Sequence, residues 1–155
     1  MVTTELLRRF PFFGFMSNQQ YNAVAMIAHE VTFEKGETIL EHNQAANFLY
    51  LVIEGDVALY YITKIENDPS YYAEYYISDI NPGEIFGISA IIEPYIYTGT
   101  MKSSTTSRVL QIDALSLRAL CNVDAKLAFG LMQEVAKAAM QRLLDTRVLL
   151  VSARK

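Results

Sequence analysis

Apolar positions along the chain change their period twice. Between Ser17 and Ala28 they recur at helical spacing (Tyr21, Val24, Ala25, Ile27, Ala28), with Ser17 placed as an N-cap. Ahead of this run, Glu5–Arg9 reads as a short helix, stopped by Phe10-Pro11-Phe12-Phe13-Gly14. From Val31 the spacing becomes alternating. Val31 and Phe33 begin a strand, Glu34-Lys35-Gly36-Glu37 turns, and Ile39-Leu40 resumes. Phe48–Ile53 and Val57–Ile65 are β-rich runs joined at Glu54-Gly55-Asp56, a hairpin signal. Asn67-Asp68-Pro69-Ser70 predicts the next turn and Tyr71–Ile77 the returning strand. Asn81-Pro82-Gly83-Glu84 turns again before Ile85-Phe86-Gly87, and Tyr97–Lys102 and Arg108–Ile112 complete the set. Seven or eight short strands with no helix between them predict an antiparallel barrel or sandwich. Helical spacing then returns. Asp113 caps a helix through Leu120, and Asn122 opens a second of roughly 28 residues. Its apolar stripe is wider than one packed face requires: Ala128, Met132, Ala136 and Leu150 lie beside Leu127, Leu131, Val135 and Leu143. Such a helix has two partners, its own β-domain and a second chain, so a homodimer through residues 123–152 is expected.

Composition narrows the class. The 155 residues are 52% hydrophobic and 19% charged, a globular balance for one compact domain. No run reaches the ~18 apolar residues of a membrane span and no secretion signal opens the chain, so no membrane partner is expected. A single cysteine, Cys121, excludes an internal disulfide and fits a cytoplasmic protein. The net charge of −4 argues against direct nucleic-acid binding. That charge is unevenly placed. Residues 1–121 hold 7 Lys/Arg against 14 Asp/Glu, residues 122–155 hold 6 against 3, and no basic residue lies between Lys64 and Lys102.

Three glycine-centred blocks stand in order: Phe33-Glu34-Lys35-Gly36-Glu37-Thr38-Ile39, then Leu49-Tyr50-Leu51-Val52-Ile53-Glu54-Gly55-Asp56-Val57, then Pro82-Gly83-Glu84-Ile85-Phe86-Gly87. With the helix, β-roll, long-helix order, they resemble the cyclic-nucleotide-binding domain family, in particular the sensor half of bacterial regulators of the catabolite activator and anaerobic regulator class. The resemblance covers nearly the whole chain. It implies a mainly β fold with flanking helices: a double-stranded β-helix, or jelly-roll-like β-roll, at residues 31–112. Before it would lie an N-terminal helical segment, 1–30, and after it C-terminal helices, 113–155. In those transcription factors a DNA-binding part follows the long helix; the present sequence stops at Lys155 and contains none.

The resemblance also implies a ligand site. In the family, a phosphate-binding cassette starts at the Phe-Gly pair. It supplies amides for the cyclic phosphate, a Glu for the ribose hydroxyl, and an Arg for a charge-assisted pair with the phosphate. Here it reads Phe86-Gly87-Ile88-Ser89-Ala90-Ile91, a loop, then Tyr97-Thr98-Gly99-Thr100. Ile88 stands in the place of the Glu and Tyr97 in that of the Arg. Lys102 lies five residues beyond Tyr97, roughly 16 Å along a strand, too far to substitute. A buried phosphate without its cation loses about 2–5 kcal/mol. The expected pocket is therefore neutral and partly hydroxylic, formed by Phe86, Gly87, Ile88, Ser89, Ala90, Tyr97, Thr98 and Thr100, with free amides near Ser89 and Ala90. Such a pocket could take a less charged ligand, a small anion held by amides alone, or nothing, and cyclic AMP held in the usual mode is not expected.

Each of these residues also has a plainer account. Threonine at 98 and 100 suits a pleated sheet, and Tyr97 could plug the pocket or pack in the roll. Tyr60, Tyr61, Tyr71, Tyr72, Tyr75 and Tyr76 could stack bases, but the acids around them favour an edge hairpin or a protein contact. His29 and His42 have no neighbouring ligand, so neither a metal nor another cofactor is expected. No nucleophile motif or paired carboxylate is present, and no enzyme is expected. Two readings remain: a ligand-sensing regulatory module, or a degenerate member of the same fold that serves as an interaction and dimerisation domain without a ligand.

Overall fold

Short β-propensive runs separated by tight turns fold here into two stacked sheets, described in a computed structural model for residues 1–65 and 67–154. Eight strands follow in order: β1 Ala28–Phe33, β2 Thr38–Leu40, β3 Phe48–Glu54, β4 Val57–Ile65, β5 Asp68–Ile80, β6 Ile85–Phe86, β7 Thr100–Ser103 and β8 Ser107–Asp113. One sheet has the order β1-β8-β3-β6, the other β2-β7-β4-β5, and every pairing is antiparallel. This is the mainly β, jelly-roll-like architecture expected from the sequence. Helices α1 (Thr4–Arg8) and α2 (Asn18–Met26) precede it, and α3 (Ala114–Val123) and α4 (Ala125–Ala153) follow.

Local chemistry sets the boundaries. Ser17 caps α2 in a full capping box with Gln20. Gly55 makes the β3–β4 turn at φ 94°, and a Cβ there would stand 2.8 Å from Ser107 Cα, so only glycine fits. Asp113 caps α3 through the Ser116 amide.

Three boundaries differ from the expectation. Asn122 lies inside α3; Asp124 caps α4, accepting from Leu127 N at 3.0 Å and from Gln20 Nε2 at 3.1 Å. The second contact ties α2 to the start of α4, a restraint between distant residues. β5 already begins at Asp68, so the turn comes ahead of Pro69 and Ser70; Glu66 lies outside the described residues. The last strand before β8 starts at Thr100 rather than Tyr97, because Tyr97 is drawn toward β3 (below).

The core is continuous from sheets to helices. Leu49, Leu51, Val52, Leu110 and Ile112 are fully buried, with Leu117, Leu127 and Leu131 in the same cluster. β3 is buried at every position from Leu49 to Val52, an apolar run with both faces covered. Helix α4 runs 29 residues, but its last buried residue is Val135. Beyond it, Met140, Leu143, Leu144, Val148, Leu150 and Val151 are exposed, a set of apolar side chains larger than a solvated helix carries. No helix is long and apolar enough to cross a membrane.

Candidate functional site

Where β6 ends, Gly87 adopts a left-handed conformation at φ 71°. The chain turns there into a single 3₁₀ turn at Ile88–Ile91 and returns through the Ile92–Ile96 loop. This turn, strands β2, β4, β5 and β7 and the middle of α4 enclose a cavity of about 510 Å³. Its wall is largely apolar, with Leu40, Leu59, Ile77, Ile88 and Met101 among the lining residues. Ser89, Thr98 and Thr146 add hydroxyls.

Of the candidate residues, Gly87, Ile88, Ser89, Tyr97 and Thr98 line the cavity. Phe86, Ala90 and Thr100 do not. Phe86 stacks on Tyr50 with ring centroids 4.8 Å apart, and Tyr50 Oη accepts from Gln111 Nε2 at 3.1 Å. Ala90 is buried; its N–H donates to Gly87 O and its carbonyl accepts from Arg118 Nε at 2.7 Å. The Ala90 amide expected to be free for an anion is therefore closed into the turn. Arg118 also donates to Ala46 O at 2.9 Å and lies 3.7 Å over the Tyr95 ring, so this basic residue clamps the turn and its loop in place. Thr100 is buried and accepts from His42 N–H at 3.2 Å.

Tyr97 is the decisive side chain. It is 6% exposed, and its hydroxyl donates to Phe48 O at 2.6 Å and accepts from Phe48 N at 3.2 Å. The even-numbered residues of β3 turn their backbone groups toward β6. Val52 exchanges bonds with Gly83 and Glu84 there, and Tyr50 sits opposite Phe86. Phe48 comes next on this edge, after the chain has left at Gly87, and the Tyr97 phenol supplies both missing partners. The side chain thus finishes a β-ladder. Burial pushes its pKa up to about 12. The ring also packs against Gly87, where an added Cβ would stand 3.0 Å from Phe48 O and 3.3 Å from Tyr97 Cε1.

One feature overturns the expectation of a neutral pocket. Arg142, on α4, lines the cavity and donates from Nη2 to the carbonyl of Ile85. Burial lowers the pKa of its guanidinium, while Glu84 and Asp145 act in the opposite sense. The family's charge belongs to the cassette, whereas Arg142 comes from a helix more than forty residues later. Thr146, one turn further along α4, lines the same cavity, and its hydroxyl donates to Arg142 O at 2.9 Å. Glu84 is not among the residues lining this cavity; its carboxylate accepts from Asn81 N–H at 2.9 Å and holds the turn.

Comparison with known proteins places this geometry. The cyclic nucleotide-binding domain model matches residues 30–124. The chain belongs to the cyclic-nucleotide-binding domain family. A Geobacter metallireducens GS-15 protein assigned to cyclic nucleotide binding is 33% identical; the match covers 92% of this chain and 99% of that one, with a TM-score of 0.79. The N-terminal domain of a transcriptional regulator from Streptomyces coelicolor A3(2) is 26% identical over 88% of this chain and 93% of its own, at TM-score 0.64. The sensor domain of the transcriptional regulator DNR from Pseudomonas aeruginosa shares the fold at TM-score 0.70, with 19% identity over 90% of both chains. No curated protein matches the chain in sequence. Among the chain's described residues, no group of three or more His, Cys, Asp or Glu side chains could hold a metal ion.

Proposed function

We propose that this domain is a non-catalytic, ligand-sensing regulatory module whose pocket takes a small molecule other than a cyclic nucleotide bound in the family's usual mode. The observation that carries this reading is the position of Tyr97. Its phenol is committed to the Phe48 backbone, in the place the family gives to the phosphate-binding Arg. Ile88 replaces the ribose-binding Glu with an apolar side chain on the same cavity. The cavity supports a ligand over an empty scaffold, since about 510 Å³ is within the range of small-molecule sites.

The second element of the proposal is a homodimer through residues 123–152. Phe129, Met132, Met140, Leu143 and Leu150 recur on α4 at helical spacing and are all exposed. A helix that touches the cavity through Ala139, Arg142 and Thr146 and a partner chain through the adjoining face joins ligand occupancy to subunit packing. The proposed compartment is the cytoplasm.

A thermal-shift screen of metabolites and nucleotides tests the reading. A ligand present at 100-fold its Kd stabilises by about 2.7 kcal/mol, a shift of several degrees for a domain of this size. The effect is expected to disappear in Ser89→Ala or Thr98→Val. Tight cyclic AMP binding by the unmodified chain would overturn the proposal, and a library without any stabiliser would favour the ligand-free interaction domain.

A further inference from the structure

We propose that the cavity takes a small organic acid, an apolar body bearing a single carboxylate, and that Arg142 on α4 is the group that holds the carboxylate. The inference rests on the sensor reading above and names the ligand class of the same cavity.

Among the described residues lining the cavity, Arg142 alone carries a formal charge. Its guanidinium has five N–H donors in a planar fork, and one bond is made, to the Ile85 carbonyl. Among the described residues no carboxylate forms an ion pair with it. A desolvated cation in this position is costly until an anion joins it. The match to a planar carboxylate is geometric as well as electrostatic, because the fork can donate two parallel bonds.

The rest of the lining selects the body. Leu40, Leu59, Ile77, Ile88 and Met101 offer dispersion contacts and desolvated surface but no hydrogen bonds from their side chains. A sugar or a purine would leave its own polar groups unpaired against such walls. An aliphatic or aromatic hydrocarbon would not. The head is limited to one negative charge for a separate reason. Glu84 and Asp145 line the adjoining cavity with Arg142 between the two spaces, so a dianion would face excess negative charge behind the guanidinium. Ser89, Thr98 and Thr146 supply hydroxyls to the same space.

Calorimetry on the full chain with 1-naphthylacetate, its neutral analogue 1-naphthaleneethanol, and cyclic AMP tests the inference. The acid is expected to bind at least about tenfold more tightly than the alcohol, the difference one desolvated charge pair provides. Arg142→Met should erase that preference while leaving alcohol binding in place, and Arg142→Lys should keep part of it. Ala139→Phe leaves Arg142 untouched and fills the cavity from the helix side, so it should abolish binding of both acid and alcohol even where Arg142→Met fails to fold. Equal affinity for acid and alcohol, acid binding unchanged in Arg142→Met or Ala139→Phe, stronger binding of cyclic AMP than of the acid, or no acid binding at millimolar concentration would each overturn the inference. A screening hit that needs Ser89 and Thr98 but is indifferent to Arg142 would overturn it and leave the sensor reading standing.

Discussion

Tyr97 shows how one side chain can take over a backbone task. Its hydroxyl replaces the strand that would otherwise pair with Phe48, donating to the carbonyl and accepting from the amide. Tyr97→Phe leaves both groups without that partner and is expected to cost about 1–3 kcal/mol, read from urea denaturation. The variant also isolates a pH effect. The folded pKa, about 12, lies above the ordinary value of 10.0. Stability from this group is therefore complete below pH 10 and is lost as pH rises toward 12, where the unfolded chain ionises first. The wild-type midpoint should fall more steeply than that of Tyr97→Phe over this window, by on the order of 2–3 kcal/mol at its top. At this scale the sequence was legible in what was missing: the places of Glu and Arg could be located from Phe86-Gly87 alone. It could not reveal what Tyr97 does instead, because Phe48 lies 49 residues away and the bond is a matter of tertiary placement.

Elements were read well where their signals are local. The capping serine of α2, the Gly55 hairpin and the Asp113 cap needed only neighbouring residues. Boundaries set by distant partners were not legible. Asp124 rather than Asn122 caps α4 because α3 continues through Asn122, and Gln20 reinforces that cap from the other end of the chain. The β4–β5 hairpin carries Tyr61, Tyr71, Tyr72, Tyr75 and Tyr76 half exposed, and Lys102 Nζ pairs with Glu74 Oε1 at 2.5 Å on the same sheet. These tyrosines sit on an edge hairpin, as the acids around them suggested. Helix α4 has a prediction of its own. Leu143→Glu, with Met140→Glu as a companion, adds charge to an exposed apolar face without touching the core. Sedimentation should find the wild type dimeric and the double variant monomeric, with the thermal midpoint of the fold little changed at low protein concentration. A wild-type monomer at micromolar concentration would remove the helix interface.

For the whole molecule, charge is the scale-dependent quantity. The acidic β-domain and basic final helix were visible in the sequence, and the basic end contains the arginine that returns to the acidic half. Asp113 and Asp124, each capping a helix, are held below the usual carboxylate pKa, Asp113 chiefly by the Ser116 hydroxyl and Asp124 chiefly by the Leu127 amide. Their stabilisation is full above the unfolded value near 3.8 and is withdrawn as pH falls toward the lower folded values. The thermal midpoint should therefore drop below about pH 4. In Asp113→Asn with Asp124→Asn, which keeps an acceptor at each cap, the drop should be shallower. An equally steep acid limb in the double variant would assign it to other carboxylates.

The Tyr97–Phe48 bond also sets the cost of rebuilding the family's usual charges in the proposed pocket. Installing Ile88→Glu with Tyr97→Arg restores the family's two charges on paper, yet it strips Phe48 of the phenol that stands in for a strand. That first step is uphill before any nucleotide can reward it. On the proposed reading, a phosphate-binding Arg and the Phe48 edge of the sheet compete for one position, so gaining the first requires a third substitution that repairs the second.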